Sequence, residues 1–542
     1  MLLALYPLLL LPPLRLGDVR VGQVSVAWWY AGVLAPLLAV LLALSCLKSS
    51  RPGTPSPVAG RIAAWLVPSL LLSIPVRLLS DAREGLWIGL LVVVAPLLAF
   101  LVASRPPARP APALVVPGIL RILVVGLIFW TNLLLAGDLA RWLGLPRLSG
   151  ILLAGGGAIL VVAVTPGRRR RPAFLPLALL ALVVPLVLIA GRLGWFPHEA
   201  WIDVASRQAF RFSPRSPWVV EGRPVQARRG TQTLRFDEEH RITALSEGPL
   251  RIVVSDRPRP QVHEWGLKPG QSVIVRPGDR LLLDPERRLR FEANKRVPGA
   301  PESGVRWADP PMDPPGPGLL SLLGVGLTIL GGAAALLNHG RSVRVSRLRA
   351  ILAGTGCLTA LFWAEGWAIY TISTTPEVFL GGLTHEELFE LPRLIFPHSP
   401  WGPALEGFLV FGGFLALLAS AVALKELLPG SEDERGLWIM MVGVLTLGSL
   451  WPLAPWRLLL VALGLGASTL APLAWVGVPA GRPWAATLGM APGVSVFLAL
   501  TVLGRLGAAT GPWGQALMNY PTVAALPVSI VIFRILRRPS LG

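Results

Sequence analysis

Two histidines and three carboxylates gather in one polar loop and the helix predicted to follow it. They are His385, Glu386, Glu390, His398 and Glu406. Imidazole and carboxylate groups can bind zinc or act as general acids and bases, so His385, His398 and Glu406 are candidate catalytic residues. Their spacing matches no metal motif, since HEEL at 385–388 lacks the second histidine of H-E-x-x-H. A solvated surface helix is the alternative interpretation.

Two further charged residues stand inside long apolar runs. Glu365 lies in LFWAEGWAIY (361–370), and Arg121 lies in VPGILRILVVGLIFW (116–130). An ionisable group inside a membrane is costly and usually functional. Glu365 is therefore a candidate catalytic or transport residue, and Arg121 is the deepest intramembrane base. The alternative is a structural ion pair between Glu365 and either Arg121 or Arg77.

The elements that must position these residues are transmembrane helices. The chain has 542 residues, of which 53% are hydrophobic and 15% are charged, whereas soluble domains carry about 25% charged residues. Apolar runs of about 18 residues or more recur along the chain and predict membrane spans. We predict a polytopic α-helical membrane protein with about 13–14 transmembrane helices. The candidate spans are 26–47, 62–79, 86–104, 113–136, 148–165, 173–190, 317–338, 350–372, 403–424, 436–455, 456–478, 484–505 and 514–534, and residues 1–14 would add one more.

A polar region interrupts the spans at residues 195–315. It contains short runs with β propensity, separated by turns such as KPGQ (268–271) and RPGD (276–279). This pattern predicts an inserted all-β, sandwich-like domain. The chain then divides into an N-terminal bundle (1–194), a β-rich domain (195–315) and a C-terminal bundle (316–542). The predicted strands are 218–220, 231–236, 241–246, 250–256, 271–276, 280–284 and 289–293.

Arginine clusters give the predicted orientation. Four consecutive arginines occupy 168–171, and a second cluster lies within 341–349. Cytoplasmic loops of membrane proteins collect such residues, so both clusters are predicted to face the cytoplasm. Residues 195–315 then lie outside the cytoplasm, and the C-terminus lies inside it. The predicted location is the inner (plasma) membrane of a prokaryote, in a multi-pass arrangement.

Tryptophan is frequent in this chain, with 20 residues. Several of them lie near the ends of predicted helices, where tryptophan commonly sits at the membrane–water interface. We therefore predict an interfacial aromatic belt. Its members are Trp28, Trp29, Trp87, Trp142, Trp401, Trp438, Trp484 and Trp513.

The sequence argues against several other kinds of site. The two cysteines, Cys46 and Cys357, cannot form a disulfide framework or a cysteine-based zinc site. None of the six histidines lies in the middle of a predicted span, so a bis-histidine haem is not expected. The net charge is +20, but basic and acidic residues nearly balance within 195–315, which argues against a nucleic-acid surface there. We predict no cofactor, no bound metal and no nucleic-acid partner.

Three hypotheses about function are consistent with these features. The leading one is transport or export of a substrate across the cell envelope, with residues 195–315 docking the substrate or a protein partner. The second is a non-catalytic scaffold or anchor subunit of a larger complex. The third is a membrane enzyme that acts on a lipid-linked substrate at the outer face through Glu365, Glu406, His385 and His398. Membrane lipids are expected partners in all three.

Overall fold

The structure is a computed structural model, and most of it is helical. It describes residues 2–10, 19–21, 24–46, 68–103, 115–143, 145–164, 184–185, 187–192, 197–212, 232–254, 261–283, 289–308, 315–337, 347–381, 392, 395–396, 399–425, 427–428, 434–449, 454–476, 484–508 and 511–537.

The helices follow the apolar runs of the sequence. In chain order they are α1 Leu2–Leu9, α2 Val26–Trp28, α3 Ala35–Cys46, α4 Pro68–Ser80, α5 Ala82–Ala103, α6 Val115–Trp142, α7 Arg147–Val164, α8 Pro197–Ser206, α9 Gly304–Ala308, α10 Pro315–Leu337, α11 Arg347–Thr374, α12 Trp401–Lys425, α13 Glu434–Gly448, α14 Pro455–Val476, α15 Trp484–Arg505, α16 Gly511–Asn519 and α17 Thr522–Arg537. A π-helix, Trp29–Leu34, joins α2 to α3, and a 3-10 helix, Pro376–Gly381, follows α11.

Within the described ranges, five helices are long and apolar enough to cross a membrane. They are Val116–Arg141, Gly316–Leu336, Trp401–Lys425, Pro455–Val476 and Trp484–Arg505, and the bent pair α16 and α17 would add a sixth. This is the architecture of a multi-pass helical membrane protein. The count of 13–14 spans stays a prediction, because spans such as 62–79 and 173–190 fall partly outside the described residues.

The last predicted span, 514–534, is broken in the structure. Helices α16 and α17 meet at an angle of 64°, and the break falls at Tyr520 and Pro521. Proline lacks a backbone N–H, and its ring clashes with the carbonyl of the preceding turn. Tyr520 packs against Gly324 of α10, where any larger residue would collide with the tyrosine.

Glycines allow the central helices α10 and α14 to approach closely. Gly331 faces Ala467, and Gly332 faces Leu463, so that a side chain at either glycine would clash with the partner helix. Membrane helices associate through such close van der Waals packing of small residues. The tight α10–α14 pair therefore forms the centre of the bundle.

The polar region contains seven strands among its described residues. They are β3 Gln232–Arg235, β4 His240–Ala244, β5 Gly248–Val254, β6 Gln261–Leu267, β7 Ser272–Val275, β8 Arg280–Leu283 and β9 Leu289–Arg290, after a short hairpin of β1 Arg20–Val21 and β2 Val24–Ser25 earlier in the chain. They form an antiparallel four-stranded sheet in the order β3-β8-β5-β6 and an antiparallel three-stranded sheet in the order β7-β4-β9.

Most of the predicted strands recur in the two sheets, and the predicted turns are present. Gly270 and Gly278 adopt φ values of +88° and +90°, which a side chain would disfavour. The run at 218–220 lies outside the described residues, as does the short helix expected at 384–391. Strand β6 was not predicted from the sequence, and it lies at the edge of the four-stranded sheet.

Candidate functional site

The candidate site is built around Glu365 on helix α11. The side chain is buried, with 6% of its surface exposed. Residues three and four positions away share its helix face: Leu361, Ala368 and Ile369 are almost completely buried, and Phe362 is 37% exposed. The sequence therefore places one carboxyl group in an apolar stripe of a long helix.

The π-helix Trp29–Leu34 provides the opposite wall of the site. Gly32 lies directly against the carboxyl, since a Cβ atom at Gly32 would be 3.0 Å from Glu365 Oε1 and 3.4 Å from Oε2. The wider turn is visible in the hydrogen bond from Ala35 N–H to Tyr30 O, five residues back. Such π-turns are rare and are frequent at functional sites. A side chain at Gly32 would therefore press on the carboxyl, which would have to shift by a few tenths of an ångström.

An aromatic cluster closes the bundle one helical turn from Gly32. The ring of Trp28 lies 3.8 Å from that of Trp201 and 5.6 Å from that of Trp307, measured between centroids. Trp28 Nε1 donates to Ala308 O at 2.8 Å, and Trp307 Nε1 donates to Leu78 O at 3.2 Å. Because Trp201 and Trp307 belong to α8 and α9, the cluster ties both ends of the β-rich region to the membrane helices.

Arg207 makes a further connection between the β-rich region and the membrane helices, this time to α11. Its Nη2 donates to Ser373 O at 2.8 Å and to Asp203 Oδ2 at 2.6 Å, and its Nη1 donates to Ile372 O at 3.5 Å. These carbonyls belong to the last turn of α11, where carbonyl groups lack partners within the helix. The positive charge also suits the negative end of the helix dipole. Glu365 lies about 14 Å below the end of this helix, at about 1.5 Å per residue.

The Glu365 carboxyl has an oxygen that accepts no hydrogen bond from the described residues. Glu365 Oε1 is buried and has no hydrogen-bond partner among the described residues. Burial of an isolated ionised carboxylate is strongly unfavourable, so the closed arrangement favours the neutral acid. A neutral carboxyl can release its proton, and an ionised one can take up a proton or hold a cation. Either change alters the charge inside the bundle.

Arg77, one of the two arginines that the sequence suggested as a partner for Glu365, pairs with another acid. Arg77 Nη1 lies 3.7 Å from Glu84 Oε2, and its guanidinium lies 5.0 Å from the ring of Trp456. Tyr520 donates from its hydroxyl to Glu84 Oε1 at 3.0 Å. This network joins α4 and α5 to the break between α16 and α17. Sequence reasoning missed it, because Glu84 and Tyr520 lie far apart in the chain and neither belongs to a motif.

The other candidate residues do not join Glu365. Arg121 is half-buried on α6, and within the described residues it makes no ion pair with Glu365. Glu406 is buried on α12, with 8% of its surface exposed, and no hydrogen bond connects it to Glu365 in the part of the chain that is described. His385 and His398 lie outside the described residues. The loop cluster therefore stays a prediction.

The long apolar helices and the buried carboxyl define the class, a multi-pass helical membrane protein. No protein-family model, curated protein or solved structure matches the chain.

Proposed function

We propose that this protein transports a substrate across the membrane, or helps to export one, and that Glu365 is the intramembrane group on which transport depends. The observation that carries the proposal is the buried Glu365 carboxyl, whose Oε1 lacks a hydrogen-bond partner among the described residues. A structural acid in a bundle normally has its partners, since an unsatisfied buried polar group is destabilising. A transport acid must instead stay free to change its bound ion.

The connection to the β-rich region also supports transport. Arg207 joins that region to α11, which carries Glu365, and Trp28, which bonds to the region through Ala308, directly precedes the π-helix that faces Glu365. A region that docks a substrate or an envelope partner on the outer side could then act directly on α11. We further propose, from the arginine clusters alone, that residues 195–315 face outward and that the C-terminus is cytoplasmic.

The test compares what cells export with and without the protein. The gene is deleted in its own host, and the compositions of the medium, the envelope and the cytoplasm are compared by mass spectrometry. We expect a compound that accumulates inside the deletion strain and is depleted outside it, with recovery on expression of the wild-type chain. Glu365→Gln should fail to restore export at equal membrane abundance.

Glu302→Gln is the matched control, because the Glu302 side chain is largely exposed, at 72%. It should restore export fully. An unchanged distribution of compounds in the deletion strain would refute transport. Full recovery by Glu365→Gln would remove Glu365 from the mechanism.

A scaffold subunit is the second candidate function, and strand β6 favours it. Val262 and Trp265 on this edge strand are 58% and 48% exposed. An exposed edge strand can pair with a strand of another protein. Purification of the full chain in mild detergent tests this hypothesis. A stoichiometric partner that is lost in Val262→Lys would favour the scaffold, and a chain that purifies alone would count against it.

A further inference from the structure

We propose that Glu365 is a proton-binding site and that the hydrogen ion drives the transport described above. This inference rests on the proposed function and deepens it by naming the coupling ion.

The site offers a single carboxyl, which suits a proton better than a metal cation. Metal ions such as calcium and magnesium are held by several oxygen ligands at once. Among the described residues, no group of three or more His, Cys, Asp and Glu side chains could hold a metal ion. A proton needs only one carboxylate oxygen, to which it binds covalently. A Cβ atom added at Gly32 would lie 3.0 Å from Oε1, so the Gly32 backbone is too near the carboxyl for a hydrated ion to fit between them.

No charged neighbour compensates an ionised Glu365 in the described residues. Among the side chains that the structure describes, the charged and titratable ones on the elements packed around it are Tyr30, Arg77, Arg83, Glu84, Glu199, Asp203, Tyr370 and Glu377. None of them forms a hydrogen bond or an ion pair with Glu365 within the described part of the chain. Arg77 is engaged by Glu84 and Trp456, and Asp203 is engaged by Arg207. Proton loss would therefore leave an isolated negative charge in an apolar environment.

This charge change gives the site its mechanical effect. On loading, a carboxylate oxygen forms an O–H bond with a proton from water, and the side chain becomes neutral. On release, the proton returns to water and the negative charge is restored. The neutral form fits the buried contact with the π-helix, whereas the ionised form needs water. Proton release therefore opens the contact between α11 and the π-helix, and proton binding closes it.

Infrared spectroscopy of the purified full-length protein tests the protonation state directly. A carboxylic acid has a C=O stretch that shifts in heavy water, which an ionised carboxylate lacks. We expect such a band in the wild-type protein at neutral pH and its loss in Glu365→Gln. Glu302→Gln should leave the band unchanged. Absence of the band from the wild-type protein across neutral and mildly acidic pH would overturn the proposal.

Labelling with a membrane-soluble carbodiimide provides the second test. The O–H of a protonated carboxylic acid adds across a C=N bond of the carbodiimide. Only a neutral carboxyl in an apolar site therefore reacts with this reagent. We expect one label at Glu365, found by mass spectrometry, and none in Glu365→Gln. Gly32→Ala keeps the acid but displaces it, and should change the labelling rate several-fold. Protection by sodium or potassium ions at constant pH would overturn the proton assignment in favour of a metal cation.

The two proposals can fail separately. A protonated Glu365 in a protein whose deletion leaves export unchanged would refute transport and keep the proton site. A deletion that abolishes export, combined with an unlabelled Glu365 and no acid band, would keep transport and refute the proton site.

Discussion

Replacement of Glu365 by methionine should stabilise the protein, although it abolishes the proposed activity. Methionine has nearly the same length and no polar atom that needs a partner, and it adapts to irregular cavities. The wild-type carboxyl is buried against Gly32, with Oε1 unsatisfied among the described residues. The substitution therefore removes a destabilising group and replaces it with an apolar one.

The expected gain follows from the cost of one unsatisfied polar atom. A buried acceptor without a partner costs about 1–3 kcal/mol, so Glu365→Met should raise the free energy of unfolding by about that amount. Glu84→Met is the matched control. Glu84 accepts from Tyr520 at 3.0 Å and pairs with Arg77, so its loss leaves the Tyr520 hydroxyl unsatisfied. That variant should lose about 1–3 kcal/mol for the same reason.

The assay is unfolding of the purified chain in mixed detergent micelles, followed by the fluorescence of its 20 tryptophans. The two variants should move the midpoint in opposite directions from the wild type. If Glu365→Met destabilised the protein as much as Glu84→Met, Glu365 would have structural partners and would not be the free intramembrane acid that transport requires.

Two further predictions concern the β-rich region. Burial lowers the pKa of His240 below 6.5, and Phe236 lies edge-on to its ring at 4.9 Å. As the pH falls, His240 is protonated in the unfolded chain before it is protonated in the folded protein. The contribution of neutral His240 to the free energy of unfolding is therefore fully present above about pH 6.5 and is lost as the pH falls through the lower folded pKa. Thermal midpoints between pH 8 and pH 5 should therefore fall more in the wild type than in His240→Phe, and equal falls would contradict the assignment. Trp28→Phe removes the hydrogen bond to Ala308 O and should destabilise the join by about 1–3 kcal/mol. The β-rich region of Trp28→Phe should also be cleaved faster by protease. Cleavage at the wild-type rate would count against the aromatic cluster as the contact that holds the β-rich region to the membrane helices.

The helices were predictable because apolar runs show directly in the sequence. The run at 403–424 matches α12 Trp401–Lys425, and the run at 484–505 matches α15. Strand β6 was missed because QVHEWGL shows no alternation, and residues on both of its faces are exposed. A strand without a buried face shows no alternation of polar and apolar residues in the sequence.

The Glu365 site could be predicted only in part. The acid stood out because an ionisable residue in an apolar run is rare, and the sequence could identify it without its neighbours. Gly32 gave no local signal, since its role depends on tertiary contact with a distant helix. Trp28 and Trp87 were expected at the membrane interface, but both are buried and hydrogen-bonded. Trp401, Trp484 and Trp513 are more than half exposed, as an interfacial position requires.

Arg207 caps the C-terminal end of the helix that carries Glu365. If a ligand of the β-rich region favours one position of Arg207, it changes the free energy of the helix end that the arginine holds. If that change alters the proton affinity of Glu365, which lies further along the same helix, then protonation of Glu365 alters the ligand affinity in return. Both changes correspond to the same coupling free energy, because linkage is reciprocal. A measured effect of pH on docking at the β-rich region would therefore also report the strength of the coupling within the membrane.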